Sequence, residues 1–108
     1  DGRDNTFTPA ELLLVALAGC SAIDVDQATS RHQSPRHFQV TASAVKQQDE
    51  SGNKLSGIQV RFNLEFEDSV EGAAAQAILP RVVEISHAKL CTVARTIEAG
   101  EHVRMEVG

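Results

Sequence analysis

A long apolar segment near the start of the chain, with a well-marked beginning, limits the fold more than any other feature. Thr8 is a favourable N-cap residue, Pro9 suits the first helical position, and Glu11 lies where a capping box places an acid. Apolar residues then recur at helical spacing up to a stop marked by Pro35. The pattern predicts a helix over residues 9–32, about 36 Å long. Such a helix must either cross the whole domain or pack against a second copy of itself.

The middle of the chain has the pattern of a β-hairpin. Apolar and polar residues alternate over residues 38–44 and, more regularly, over residues 58–66. The polar segment Gln47–Lys54 between them has the composition of a turn. We therefore expect two antiparallel strands with one face against the core and one face in water.

A second helical region is predicted from about residue 70 to residue 89, with Asp68 or Ser69 as its cap. Its apolar content is rich in alanine, leucine, isoleucine and valine. Pro80 lies inside this region and should kink it or divide it into two pieces.

The end of the chain predicts one more helix and one more strand. A short helix is expected over residues 92–98, with Gly100 ending it. Alternating apolar residues then predict a last strand that contains Val103, Met105 and Val107. The order α, β, β, α, α, β is typical of an α+β domain. Because 108 residues fit one core, we assign residues 1–108 to a single domain.

Composition argues against several classes of protein. The formal net charge is −5, the chain has no Trp or Tyr, and aromatic residues make up only 4%. Because nucleic-acid binding needs a basic face and stacking platforms, we expect no nucleic-acid partner. The longest apolar run, Leu12–Cys20, falls short of the roughly 20 residues of a membrane span, so we expect no membrane partner. The N-terminus has no signal-peptide pattern, and two cysteines are too few for a disulfide framework, so we expect a cytoplasmic protein.

The two cysteines occupy positions where thiol chemistry is conceivable. Cys20 lies mid-helix on the same stripe as Leu17 and Asp24, where its structural interpretation is a small buried core residue. Cys91 lies at the start of the short helix, where free N–H groups and the helix dipole stabilise a thiolate, although it could also be a simple boundary residue. Their separation in sequence neither requires nor forbids a disulfide.

Other polar residues have structural explanations. His87 and Cys91 are spaced as half of a metal site, but a zinc site needs about four ligands. The remaining histidines show no partner spacing, so we expect no metal and no cofactor, with His87 a surface or capping residue. Glu11 could be an active-site acid, yet the capping box explains it fully. A carboxylate at Asp24 would raise a nearby thiol pKa, so we expect it to cap, pair or face the surface.

Two segments together resemble the OsmC/Ohr family, the osmotically inducible and organic hydroperoxide resistance proteins. TPAELLLVALAGCSAIDV (residues 8–25) looks like the signature helix of that family, and ISHAKLCTVARTI (residues 85–97) resembles its second cysteine segment. The hairpin and helix between them come in the expected order, so the resemblance covers nearly the whole chain. Family members normally carry strands before the long helix, and we expect residues 1–108 to lack them.

The resemblance implies an OsmC-like fold in which a long central helix and an antiparallel sheet form an intertwined homodimer, with active sites at the subunit interface. It implies thiol peroxidation of organic hydroperoxides, with Cys20 as the peroxidatic and Cys91 as the resolving cysteine. A dithiol, lipoyl or thioredoxin-like, would reduce the resulting disulfide. Small residues would let the partner helix close over Cys20: Ala16, Ala18, Gly19 and Ser21.

The sequence departs from the characterised peroxidases of that family in two places. They carry a carboxylate directly after the motif proline, whereas this chain has Ala10 there and Glu11 one residue later, about 100° around the helix. Their activating arginine comes from the upstream region, where this chain offers only Arg3, with Arg95 as another available cation. Two alternatives therefore remain: a non-catalytic OsmC-like protein that binds small molecules in an apolar interface pocket, or a fragment whose fold needs an absent N-terminal segment.

Overall fold

A computed structural model describes residues 7–108. The elements follow one another as α1 (Pro9–Thr29), β1 (His37–Asp49), β2 (Gly52–Glu65), α2 (Val70–Ile85), a π-helical turn (Ser86–Leu90) and α3 (Thr92–Ala99). Within the described residues, β1 and β2 form a two-stranded antiparallel sheet beside three helices. This architecture confirms the predicted α+β class.

The start of α1 is as predicted, and its end comes earlier. The Glu11 N–H donates to Thr8 Oγ1 at 3.2 Å and the Thr8 N–H donates to Glu11 Oε1 at 2.8 Å, which completes the capping box. The helix ends at Thr29, rather than at residue 32, because the chain turns there and the N–H groups of His32 and Gln33 both donate to the Thr29 carbonyl. Thr29 is fully buried, so this turn also closes the core at that end.

The hairpin is longer and tighter than expected. Pairing continues to Asp49 opposite Gly52, so the turn is two residues long and the predicted eight-residue turn segment is mostly strand. Asp49 Oδ1 accepts the Ser51 N–H at 2.8 Å, and Gly52 adopts φ 123°, which closes the turn. One irregularity shifts the register beyond Ser43, where Gly57 at φ 58° supplies the extra residue of a β-bulge.

The second helix is a single element. Ser69 is its cap, since its Oγ accepts the Gly72 N–H at 3.0 Å. α2 continues through Pro80, so the proline does not divide it, and the regular helix ends at Ile85 rather than near residue 89. The π-helical turn takes up the following five residues. A Cβ at position 72 would collide with the Glu67 carbonyl oxygen, which explains the glycine in the first turn.

The predicted final strand is wrong. Gly100 ends α3 in the left-handed conformation, as expected, but residues 101–108 form no regular secondary structure. Val103 and Met105 are 78% and 89% exposed. Alternation of apolar residues creates a strand only when a neighbouring strand supplies hydrogen bonds, and no described strand pairs with this segment.

The described subunit has a small core and an extended form. Leu17, Cys91 and Ala94 are the centre of the core, with partly buried residues of α1, β2 and α3 packed around them. The Cα radius of gyration is 16.8 Å. A compact chain of similar length has a radius of gyration of about 13 Å. Much apolar surface is therefore left uncovered in one subunit.

The apolar character of α1 extends around the helix. The expectation that no segment could span a bilayer is wrong by length and composition, because an 18-residue window of this 21-residue helix has mean hydropathy 1.4. Isolated small and acidic residues interrupt the apolar run, but the mean hydropathy of the whole window stays in the range of membrane-spanning helices. Core helices of globular proteins meet the same criterion, and α1 packs on α2, α3 and both strands.

Candidate active site

One face of α1 carries the residues that meet the second cysteine segment. Leu17 lies three and four residues before Cys20 and Ser21, and Asp24 lies four and three residues after them, so the four residues share a face. That face packs against the π-helical turn and α3. As a result, residues about seventy positions apart in sequence become neighbours.

Cys91 is fixed by several hydrogen bonds. Its N–H donates to the Ser86 carbonyl at 2.7 Å, across the π-helical turn. Its side chain is the N-cap of α3, where Sγ accepts the Ala94 N–H at 3.4 Å. Ser21 Oγ also donates to this sulfur, at 3.5 Å. Cys91 is 0% exposed, so solvent does not compete for these contacts.

Cys20 lies beside Cys91 but is more accessible. It packs against the cluster formed by Leu17, Cys91 and Ala94, and its own exposure is intermediate. Both cysteines are free thiols in this structure. The fold therefore brings together the two cysteines of the chain, one buried and one partly open.

The two thiols have opposite electrostatic environments. Burial, the strongest single influence, acts to raise the pKa of Cys91, but hydrogen bonds from Ser21, the Ala94 N–H and the Cys20 thiol together lower that pKa. The Val93 N–H acts to lower the pKa of Cys20, yet donation to Cys91, burial and the neighbouring sulfur charge together raise that pKa. In this subunit the negative charge is therefore favoured on Cys91, and the proton on Cys20.

Polar contacts outside the cysteines anchor the same region. Ser86 Oγ donates to Asp24 Oδ2 at 2.7 Å, which ties the π-helical turn to α1. Asp24 thus pairs within the subunit, one of the three roles expected of it. His87 Nε2 lies 2.8 Å from Glu98 Oε2, and both side chains are exposed. His87 is accordingly a surface residue that links the π-helical turn to α3.

A cavity of about 370 Å³ opens beside this cluster. Its apolar wall is formed by Leu17, Ile58, Val60, Phe62, Val83 and Ile97. Its polar margin contains Ser21, Ser86 and the His87–Glu98 pair. Because Ser21 both borders the cavity and donates to Cys91, it lies between the apolar space and the buried sulfur.

Sequence comparison places this arrangement in a family. The sequence model of the OsmC-like protein family matches residues 2–106. The chain belongs to the OsmC-like protein family. This membership confirms the resemblance found in the two cysteine segments, and the match covers nearly the whole chain. An uncharacterised protein of Mycobacterium tuberculosis is 31% identical over 105 residues, which cover 96% of this chain and 74% of the relative. An uncharacterised protein of Mycobacterium bovis shows the same identity and coverage.

The remaining predicted site residues of this OsmC-like protein do not join the cysteine cluster. Glu11 is exposed and forms the α1 capping box, nine residues or about 13 Å of helix before Cys20. Arg3 lies outside the described residues. The Arg95 N–H donates to the Cys91 carbonyl at 3.0 Å, while its side chain is exposed. Among residues 7–108, no three His, Cys, Asp or Glu side chains gather closely enough to hold a metal ion.

Two serines of the site are not predicted by the sequence analysis. The sequence presents Ser21 as a small residue that lets a partner helix approach, whereas the structure places its hydroxyl on Cys91 inside the subunit. No sequence pattern marks Ser86, although its hydroxyl and carbonyl hold Asp24 and the Cys91 N–H. The available signal is the position of Ser21 on the same helical face as Leu17 and Asp24.

Proposed function

We propose that this OsmC-like protein is a thiol-dependent peroxidase that reduces organic hydroperoxides, with Cys20 attacking the peroxide and Cys91 resolving the product. The observation that carries the proposal is the packing of these two cysteines against each other from distant parts of the chain. Their exposure supports the division of roles. A peroxide must reach the first thiol, and Cys20 is partly open whereas Cys91 is 0% exposed.

The proposed reaction balances with the peroxide as oxidant. The Cys20 thiolate attacks the terminal peroxide oxygen, the O–O bond breaks, and the alkoxide leaves with a proton as an alcohol. Cys20 is then a sulfenic acid. The Cys91 thiolate attacks the Cys20 sulfur, the S–O bond breaks, and hydroxide leaves and is protonated to water. An external dithiol, lipoyl or thioredoxin-like, returns the resulting disulfide to two thiols.

Activation of Cys20 requires a positive charge. Because the surroundings raise the pKa of Cys20 in the subunit, a guanidinium near its sulfur is needed to favour the thiolate. We assign this role to Arg3, with Arg95 as the other available cation. Glu11 acts in our proposal through the capping box, and a catalytic contribution from it would have to be made in the site of a second subunit, since it lies far along α1 from its own Cys20.

The proposal includes an intertwined homodimer in the cytoplasm. The outer face of α1 leaves Leu12 and Ile23 53% and 60% exposed, which is a large apolar area for a surface helix. A second copy of the chain would cover this face, as the OsmC-like family resemblance implies. Cytoplasmic reductants keep such thiols reduced between turnovers.

The experiment that tests this function follows the mass of the intact reduced protein after brief exposure to cumene hydroperoxide or hydrogen peroxide. We expect rapid loss of two hydrogens, a Cys20–Cys91 disulfide in peptide maps, and faster reaction with the organic peroxide. Cys20→Ser should abolish peroxide turnover, and Cys91→Ser, given one equivalent of peroxide, should react once and stop at the sulfenic acid. Full peroxide turnover by Cys20→Ser would contradict the assignment.

A second candidate function is supported by the cavity. An apolar space of about 370 Å³ with a polar margin suits a small apolar ligand even without redox chemistry. Ala10, in place of the carboxylate of characterised family peroxidases, favours this interpretation. If folded, dimeric protein oxidises slowly at both cysteines but is stabilised against heat by 2-phenyl-2-propanol, the unreactive alcohol product of cumene hydroperoxide, the binding function replaces the peroxidase.

A further inference from the structure

The Ser21 hydroxyl makes an unusual choice of hydrogen-bond partner. A serine or threonine inside a helix commonly donates to the carbonyl one turn before it, and Thr29 on the same buried face does so, to the Val25 carbonyl at 2.8 Å. Ser21 is also buried, but its hydroxyl donates to Cys91 Sγ at 3.5 Å. The hydrogen bond therefore crosses from α1 to another element and ends on a sulfur atom.

The Cys91 sulfur is surrounded by donors. The Ala94 N–H reaches it from the first turn of α3, and the Ser21 hydroxyl reaches it from α1. A thiol is a weak acceptor, whereas a thiolate accepts such bonds strongly, so two donors on one buried sulfur favour its ionised form. Titratable side chains nearby are engaged with other partners: Asp24 accepts from Ser86, and His87 lies against Glu98. Lys89 and Arg95, on the π-helical turn and α3, are exposed.

Resting on the proposed peroxidase function, we propose that Ser21 is a positioning residue for the disulfide-forming step, holding the Cys91 sulfur as a thiolate directed at oxidised Cys20. Ser21 thereby favours one of two competing reactions of the Cys20 sulfenic acid. The Cys20 sulfenic acid is either trapped by Cys91, with release of hydroxide, or oxidised by a second hydroperoxide to the sulfinic acid, with release of an alcohol. A ready thiolate favours trapping, because the thiolate is the attacking species.

The first test measures the ionisation of Cys91 alone. In Cys20→Ser, Cys91 is the one remaining thiol, and the chain has no Tyr or Trp to interfere with ultraviolet thiolate absorbance. Adding Ser21→Ala should raise the titration midpoint by about one pH unit, a tenfold loss of thiolate near neutral pH. Adding Thr29→Val instead, which removes a buried hydroxyl from the same helix face, should leave the midpoint unchanged.

The second test measures the competition in protein with both cysteines. Exposed to rising cumene hydroperoxide, Ser21→Ala should form the disulfide about tenfold more slowly than the unaltered protein and accumulate Cys20 sulfinic acid, seen as added oxygen mass. Ser21→Thr retains the hydroxyl and should restore both the midpoint and the disulfide yield; it also decides the question if Ser21→Ala fails to fold.

The outcomes separate this inference from the proposed function. An unchanged midpoint and an unchanged sulfinic fraction in folded Ser21→Ala would overturn the role of Ser21 while leaving the peroxidase intact. Equal shifts in Thr29→Val would show a general effect of losing a buried hydroxyl and would overturn it too. No oxidation of the unaltered protein would refute the peroxidase, and with it the disulfide step, even where the titration moves as expected.

Discussion

On one face of α1, Leu17, Ser21 and Val25 are buried, and the first two contact the cysteine segment, whereas on the other face Leu12 and Ile23 are more than half exposed. Both faces are apolar enough to be covered, yet only the first finds its cover within the described subunit. The inner face carries the hydrogen bonds that organise the two sulfurs. The contacts between the two sulfurs are thus made within one chain, while the outer face of α1 stays uncovered in the described residues.

The largest expected effect contrasts the two faces by deleting one leucine from each. Leu17 is 5% exposed, so Leu17→Ala should lower the free energy of unfolding by about 2–5 kcal/mol at every protein concentration. Leu12→Ala is the matched control. It should lower the free energy of unfolding only through weaker association of the chains, so its effect should change with protein concentration. Denaturant titrations over a wide concentration range measure both. Equal, concentration-independent losses would remove the distinction between the faces.

An intermediate effect is expected from a charge on the outer face. Ile23→Lys should keep the helical circular dichroism of the chain but dissociate the proposed dimer, because a buried unpaired ammonium is costly at an apolar interface. Light scattering after size exclusion reports the mass. Gln76→Lys, at an exposed position of α2, should leave the mass unchanged. A dimer that survives Ile23→Lys would mean that another surface joins the subunits.

The smallest expected effect on stability concerns the first turn of α1, from which the buried and the exposed face both start. The Thr8 N–H, followed by the Thr8 hydroxyl, lowers the pKa of Glu11 below its usual value. A carboxylate with a lowered pKa stabilises the fold above the pKa of unfolded Glu, about 4.3, and loses that contribution as the pH falls through the lower folded value. The thermal unfolding midpoint of Glu11→Gln should therefore be slightly lower than that of the unaltered protein at neutral pH and equal to it in acid. A difference that persists in acid would place the role of Glu11 elsewhere.

Local signals were enough to predict much of the fold. Three helix ends depend only on residues within one turn, so their local sequence patterns were sufficient to predict them: the capping box at Thr8, the serine cap at Ser69 and the left-handed Gly100. The alternation over residues 58–66 likewise needed only β1, the partner strand that comes just before it in the sequence. The final strand failed for the opposite reason: Val103 and Met105 alternate correctly, but a strand needs a distant partner that no local pattern specifies.

The candidate site divides in the same way. Helical spacing places Cys20, Ser21 and Asp24 on one face, and the family resemblance pairs Cys20 with Cys91. Neither indicates that Ser21 donates to Cys91 or that Ser86 donates to Asp24, because both contacts join segments more than sixty residues apart. The balance of ionisation between the thiols depends on those contacts and was therefore inaccessible from the sequence.

The π-helical turn before Cys91 makes this arrangement sensitive to insertions and deletions. The Cys91 N–H bonds to the carbonyl five residues earlier, so the turn holds one residue more than an α-helical turn would. Deleting a single residue there would restore ordinary helix and rotate the downstream segment by about 100°. The helices would survive such a change, but the second sulfur would no longer face the first. A lineage could therefore keep this architecture and lose its paired thiols in one genetic event.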